Sequence, residues 1–66
     1  MNINKLRGKI VENGMTVPEL AARIGVDRSS LYRKLNNFEK ITIGEAIKIK
    51  DVLGLDDGDA CDIFLS

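Results

Sequence analysis

Apolar residues recur along this chain at helical spacing, in five short runs separated by polar, mostly glycine-bearing breaks. Ile3, Leu6, Ile10 and Val11 mark one face of a first helix, with Asn2 or Asn4 to cap its start and Asn13-Gly14 to stop it. Gly8 falls inside this helix, where it costs roughly 1 kcal/mol relative to Ala unless a close neighbour uses the space of the missing side chain. Thr16-Val17-Pro18-Glu19 forms a capping box, with the Thr16 hydroxyl accepting from the Glu19 N–H and the Glu19 carboxylate accepting from the Thr16 N–H. A second, two-turn helix follows, on which Pro18 is tolerated because first-turn N–H groups have no intrahelical partner. Leu20, Ala21 and Ile24 form its apolar face, and Gly25 ends it.

Asp27 then caps a third helix whose buried side is marked by Leu31 and Leu35, one turn apart, and whose end is marked by Asn36 and Asn37. A loop through Phe38, Glu39 and Lys40 leads to a second capping box, Thr42-Ile43-Gly44-Glu45. The helix it opens carries Ile43, Ala46, Ile47, Ile49, Val52 and Leu53 before Gly54, a density that predicts the central core helix. Asp56 or Asp57 caps a last short helix with Ala60, Ile63, Phe64 and Leu65. No strand pattern, linker, repeat or low-complexity stretch competes, so the expectation is an all-α, compact five-helix bundle, one domain over residues 1–66.

A chain of 66 residues builds one small core, so its function belongs to a surface and not to a deep pocket. The net charge is zero, which taken alone argues against a nucleic-acid partner, but the charge is unevenly placed: +5 up to residue 50 and −5 beyond it. This asymmetry predicts a basic working face with an acidic end held away from it. There is no His, and Cys61 has no second cysteine to pair with, so metal, cofactor and nucleophilic chemistry lack their parts. An enzyme is not expected, nor is a small-molecule ligand. The single cysteine, together with the absence of a signal-peptide pattern or a long apolar run, predicts a cytoplasmic protein with no membrane partner.

The functional signal lies between Thr16 and Asn37, where two short helices are joined by a tight glycine turn and the second helix opens with polar side chains. That is the arrangement of a helix-turn-helix, whose second helix enters the major groove. Leu20, Ala21, Ile24, Val26 and Leu31 are apolar where the pair packs on itself, leaving Arg28, Ser29, Tyr32, Arg33 and Asn36 outward. The stretch Met15 to Arg33 resembles the phage repressor and Cro type of helix-turn-helix regulators, matching its pattern at Thr16, Glu19, Leu20, Ala21, Ile24, Gly25, Val26, Arg28, Leu31 and Arg33. The resemblance extends more loosely through Ile43 to Leu55. The runs Ser29 to Asn36 and Asp62 to Leu65 are similar to small prophage regulators of Gram-positive bacteria.

This resemblance implies a lambda-repressor-like domain that binds operator DNA and regulates transcription, with Arg28, Ser29 and Arg33 reading base edges. Arg pairs bidentately with guanine O6 and N7, which agrees with that role. Tyr32 joins them, against a thymine methyl or a sugar-phosphate, the alternative being a half-buried packing role. In the competing reading, Arg28 and Arg33 pair with Asp27 or Glu39 and only solvate the helix. Thr16, Val17, Ser30, Asn36, Asn37, Lys40 and Thr42 are the candidates for phosphate positioning. Val17 stands where the family has a phosphate-clamping Gln, so only Thr16 and the backbone N–H remain there. Lys34 stands where many members are apolar, with Leu35 expected to take over the core contact.

One head of this size makes few contacts, so the expected partner is a palindromic double-stranded operator bound by a homodimer, joined through Ile63, Phe64 and Leu65. The alternative is the same fold used as a protein-binding module, such as an antirepressor or an antitoxin.

Overall fold

Each helix starts at the polar residue that caps it. In the computed structural model, which describes residues 1–65, Asn2 and not Asn4 caps α1 (Ile3–Glu12), its side chain accepting from the Lys5 N–H. Thr16 caps α2 (Val17–Ile24), Asp27 caps α3 (Arg28–Leu35) and Thr42 caps α4 (Ile43–Leu53), and both capping boxes are formed. Asp56 rather than Asp57 caps α5 (Asp57–Phe64), accepting from the Asp59 N–H at 2.7 Å. The all-α expectation therefore holds among the described residues, and none of their helices is long and apolar enough to cross a membrane.

The ends of α1 to α4 share one closure. Gly14, Gly25 and Gly54 have positive φ, and so does Asn37, the non-glycine side chain type that best tolerates this conformation. In each case the next residue's N–H reaches back to a carbonyl of the last turn: Met15 to Ile10, Val26 to Ala21, Phe38 to Arg33 and Leu55 to Lys50. Gly8 is different: its φ is not positive, and nothing lies within 4 Å of the Cβ it lacks. No packing contact explains that glycine.

Leu6, Ile10, Leu20, Ala21, Ile24, Leu31, Leu35, Ile49, Leu53, Leu55 and Ile63 form one buried cluster. Its centre is α2, which packs against both α3 and α4, while α5 closes against α1. The expectation that α4 is the central helix is thus corrected. Ile49 and Leu53 are buried, but Ile43 is 82% exposed and Ile47 is also exposed. At 100° per residue these pairs lie roughly 120° apart around the helix, and only one face meets α2. Val11 of α1 is likewise exposed.

Lys34 is a second correction. Leu35 takes its core position, yet Lys34 is buried beside it at 8% exposure, and its ammonium meets the Glu45 carboxylate at the start of α4. Glu45 also accepts from the Thr42 N–H at 2.9 Å. Burial alone pushes its carboxyl up, but the Lys34 hydrogen bond and the two from Thr42 outweigh this and hold it below its ordinary value.

The acidic end is not held apart from the basic half. Lys5 pairs with Asp59 at 3.3 Å and with Asp62 at 2.8 Å, Lys9 with Asp59 at 3.3 Å, and Lys50 with Asp57 at 3.2 Å. Hydrogen bonds from Lys9 and Lys5 lower the Asp59 carboxyl, and those to Asp62 and Asp59 raise Lys5 and Lys9 respectively. Together with the Asn2 N–H donating to the Ile63 carbonyl at 2.7 Å, the Lys5 and Lys9 pairs fasten α5 to α1, and the Lys50 pair ties it to α4.

Candidate nucleic-acid interface

A reading helix needs a fixed axis and a free outer face, and the local sequence of α3 provides both. Its start is fixed by Asp27, whose carboxylate accepts from the Ser29 N–H at 3.1 Å. Its inner face is fixed by Leu31, Lys34 and Leu35. Gly25, in the left-handed conformation, turns the chain between α2 and α3, and Ala21 is buried where α2 packs on its neighbours. The outer face then presents Arg28, Ser29, Tyr32, Arg33 and Asn36, all exposed.

These five are not equivalent. Arg28 has no acidic partner among the described residues, because Asp27 is engaged as the cap. Arg33 does have one: its Nε lies 3.2 Å from Glu39 Oε1. The second Glu39 oxygen accepts from the Ser30 hydroxyl at 3.4 Å. Asn36 Oδ1 accepts a long bond of 3.5 Å from Arg7 Nη2, which ties the end of α3 to α1. Tyr32 is 41% exposed and is not part of the buried core cluster.

The remaining positions divide between structural and free groups. The Thr16 hydroxyl is committed to the capping box, accepting from the Glu19 N–H and donating to Glu19 Oε1 at 3.0 Å. The Val17 side chain packs against the core. Its N–H is the first-turn donor left without a partner among the described residues, since Pro18 has none and that of Glu19 is capped. The Asn37 backbone closes α3, while Lys40 and Thr42 are exposed on the loop and cap that lead into α4. The Ile43 and Gly44 N–H groups at the start of α4, which sequence reasoning passed over, are similarly unpartnered among the described residues.

Ile63 is buried in the core and is removed from the expected dimer surface. Phe64 is half-buried against the core, and Leu65 is exposed. These last two line an apolar groove of about 530 Å³ with Ile43, Ile47, Lys40 and Thr42. Among the described residues, no group of three or more Cys, Asp or Glu side chains converges to hold a metal ion.

Sequence reasoning weighed Glu39 only as a competing partner of Arg33, because it sits six positions further on, outside helical spacing. The one local hint was Asn37, whose left-handed turn sends the chain back past α3. The polar Lys34 at an apolar family position was a visible departure, but its partner Glu45 was legible only as a helix cap.

Comparison with known proteins gives one result. A search of curated proteins and one of solved structures returned no match. The family model of the Cro/C1-type HTH DNA-binding domain matches residues 5–64, from the first turn of α1 to the end of α5. With α2, the glycine turn and α3 arranged as a helix-turn-helix inside that span, the chain belongs to the Cro/C1-type helix-turn-helix DNA-binding domain family.

Proposed function

We propose that this protein is a sequence-specific transcriptional regulator of the Cro/repressor kind, of the sort prophages carry, and that it binds a palindromic operator as a homodimer. The observation that carries this reading is the exposed row Arg28, Ser29, Tyr32 and Arg33 on a helix whose start, end and inner face are all fixed. Arg28 and Arg33 read guanines in the major groove, while Ser29 and Tyr32 contact the neighbouring bases. The Val17 N–H, Ser30, Asn36, Lys40, Thr42 and the first N–H groups of α4 position the phosphates.

The molecule extends 27 Å along its longest axis, less than the ~34 Å between half-sites one helical turn apart. A second copy is therefore needed to read a palindrome. The groove lined by Ile43, Ile47, Phe64 and Leu65 is the surface we assign to it.

The test is titration of duplexes selected from a random library, at several salt concentrations. Operator binding requires a linear fall of log affinity with log salt and a large loss of sequence preference in Arg28→Ala. Ile47→Asp and Leu65→Asp probe the dimer more cleanly than a change at Phe64, which also packs against the core. They should leave a folded monomer with much weaker operator binding, and an unchanged oligomeric state would refute the dimer assignment. The protein-binding alternative is favoured by one observation, the neutralisation of Arg33 by Glu39. A flat salt dependence would select it.

A further inference from the structure

The recognition helix has a carboxylate built against it. Asn37 adopts a left-handed turn, and the Phe38 N–H closes on the Arg33 carbonyl at 2.9 Å, so the chain doubles back alongside the last turns of α3. This closure brings Glu39 to Arg33 and Ser30, which lie one helical turn apart on the same face of α3. Glu39 Oε1 lies 3.2 Å from Arg33 Nε as an ion pair, and Oε2 accepts from the Ser30 hydroxyl at 3.4 Å. Both Arg33 and Glu39 are well exposed, with side chains 59% and 41% accessible, so a pair of this kind adds little to stability. Its effect lies in what the guanidinium is left free to do.

We infer that Glu39 is a specificity-determining residue, a positioning group that aims Arg33 and penalises the wrong DNA. This inference rests on the operator-binding reading. With Nε paired to Glu39, the two terminal nitrogens of Arg33 have no partner among the described residues and are left to meet guanine O6 and N7 as a fork. Holding the long side chain in advance removes part of the ordering cost of that contact. On a non-cognate duplex no base repays the arrangement, and the Glu39 carboxylate stands against the phosphates, which weakens non-specific docking. Ser30 is drawn to the same carboxylate and so serves this pair before it serves a phosphate.

The test uses four full-length proteins, wild type, Glu39→Gln, Arg33→Ala and the double variant, with circular dichroism to verify folding. Each is titrated with a duplex recovered by wild type from a random library and with a scrambled duplex of the same composition, across a salt series. Glu39→Gln should bind the scrambled duplex roughly threefold more tightly and lower the ratio of selected to scrambled affinity by about tenfold. In the Arg33→Ala background the same change should leave the ratio where Arg33→Ala alone puts it. A ratio held within about twofold in Glu39→Gln overturns the inference while operator binding stands, as does an undiminished effect in the absence of Arg33. Wild type that shows no salt-dependent binding to either duplex overturns the operator-binding reading, and this inference with it.

Discussion

Lys34→Met tests the most consequential contact that links the recognition helix to the rest of the protein. Met keeps the length and apolar stem of Lys34 while deleting its ammonium, so packing is nearly conserved and the loss is electrostatic. The side chains of the pair are 10% and 14% exposed, and removing the cation leaves the Glu45 carboxylate largely shielded from water with only the hydrogen bonds it accepts from Thr42. Breaking a fully buried pair costs about 3–5 kcal/mol. With part of each side chain wet and the cap retained, the expected loss here is about 2–3 kcal/mol. In a domain of this length each kcal/mol moves the midpoint by ~4–8 °C, so Tm should fall by roughly 10–20 °C.

The double variant Lys34→Met/Glu45→Gln removes both charges while Gln preserves the capping box. It should recover to within about 1 kcal/mol of wild type, with a coupling energy of about 2 kcal/mol in the full cycle. The pH dependence supplies an independent check. Glu45 is held below its ordinary 4.5 in the fold, so its contribution is present above that value and is lost as pH falls through the lowered one. Without Lys34 the lowering weakens, and the gap between variant and wild type should narrow as the solution is acidified. Urea melts at several pH values read both quantities. If Lys34→Met lies within about 0.5 kcal/mol of wild type at neutral pH, or the double variant is as unstable as the sum of the singles, the reasoning is refuted.

Gly8→Ala should stabilise by about 0.5–1 kcal/mol, since the site is helical and open, and a lower Tm would expose a contact that the fold does not contain. Leu20→Ala, at the centre of the core on α2, should cost about 2–5 kcal/mol and leave the domain largely unfolded near 37 °C by circular dichroism. Asp59→Asn should flatten the pH profile of stability at both ends. The lowered Asp59 carboxyl contributes above its ordinary 3.8 and fades as pH falls through its lowered value, while the raised Lys5 and Lys9 contribute below their ordinary 10.5 and fade as pH rises through theirs. A profile unchanged from wild type at both ends would remove the Asp59 ion pairs with Lys5 and Lys9 from the account of stability.

Most of the helix boundaries were determined by the sequence itself. Thr16 with Glu19 and Thr42 with Glu45 satisfy orphan N–H groups three residues away, and Gly25 and Gly54 accept a backbone that other residues resist. Such signals act within a few residues, so they survive in a one-dimensional pattern, and they made the helix-turn-helix legible. The choice between Asn2 and Asn4, or between Asp56 and Asp57, turned on one hydrogen bond each.

Only the tertiary structure decided which faces met. Ile43 and Ile47 are as apolar as Ile49 and Leu53, yet α2 covers one pair and leaves the other in water. Ile63 reads like Phe64 and Leu65, but the register of α5 on α1 puts it in the core. Burial of Lys34 depended on a carboxylate eleven positions further along the chain. The balance of +5 and −5 suggested two separated ends, whereas α5 folds its acids onto the lysines of α1. Each outcome depends on groups far apart in sequence approaching within a few ångströms, and periodicity along one helix cannot encode what the next helix will place opposite it.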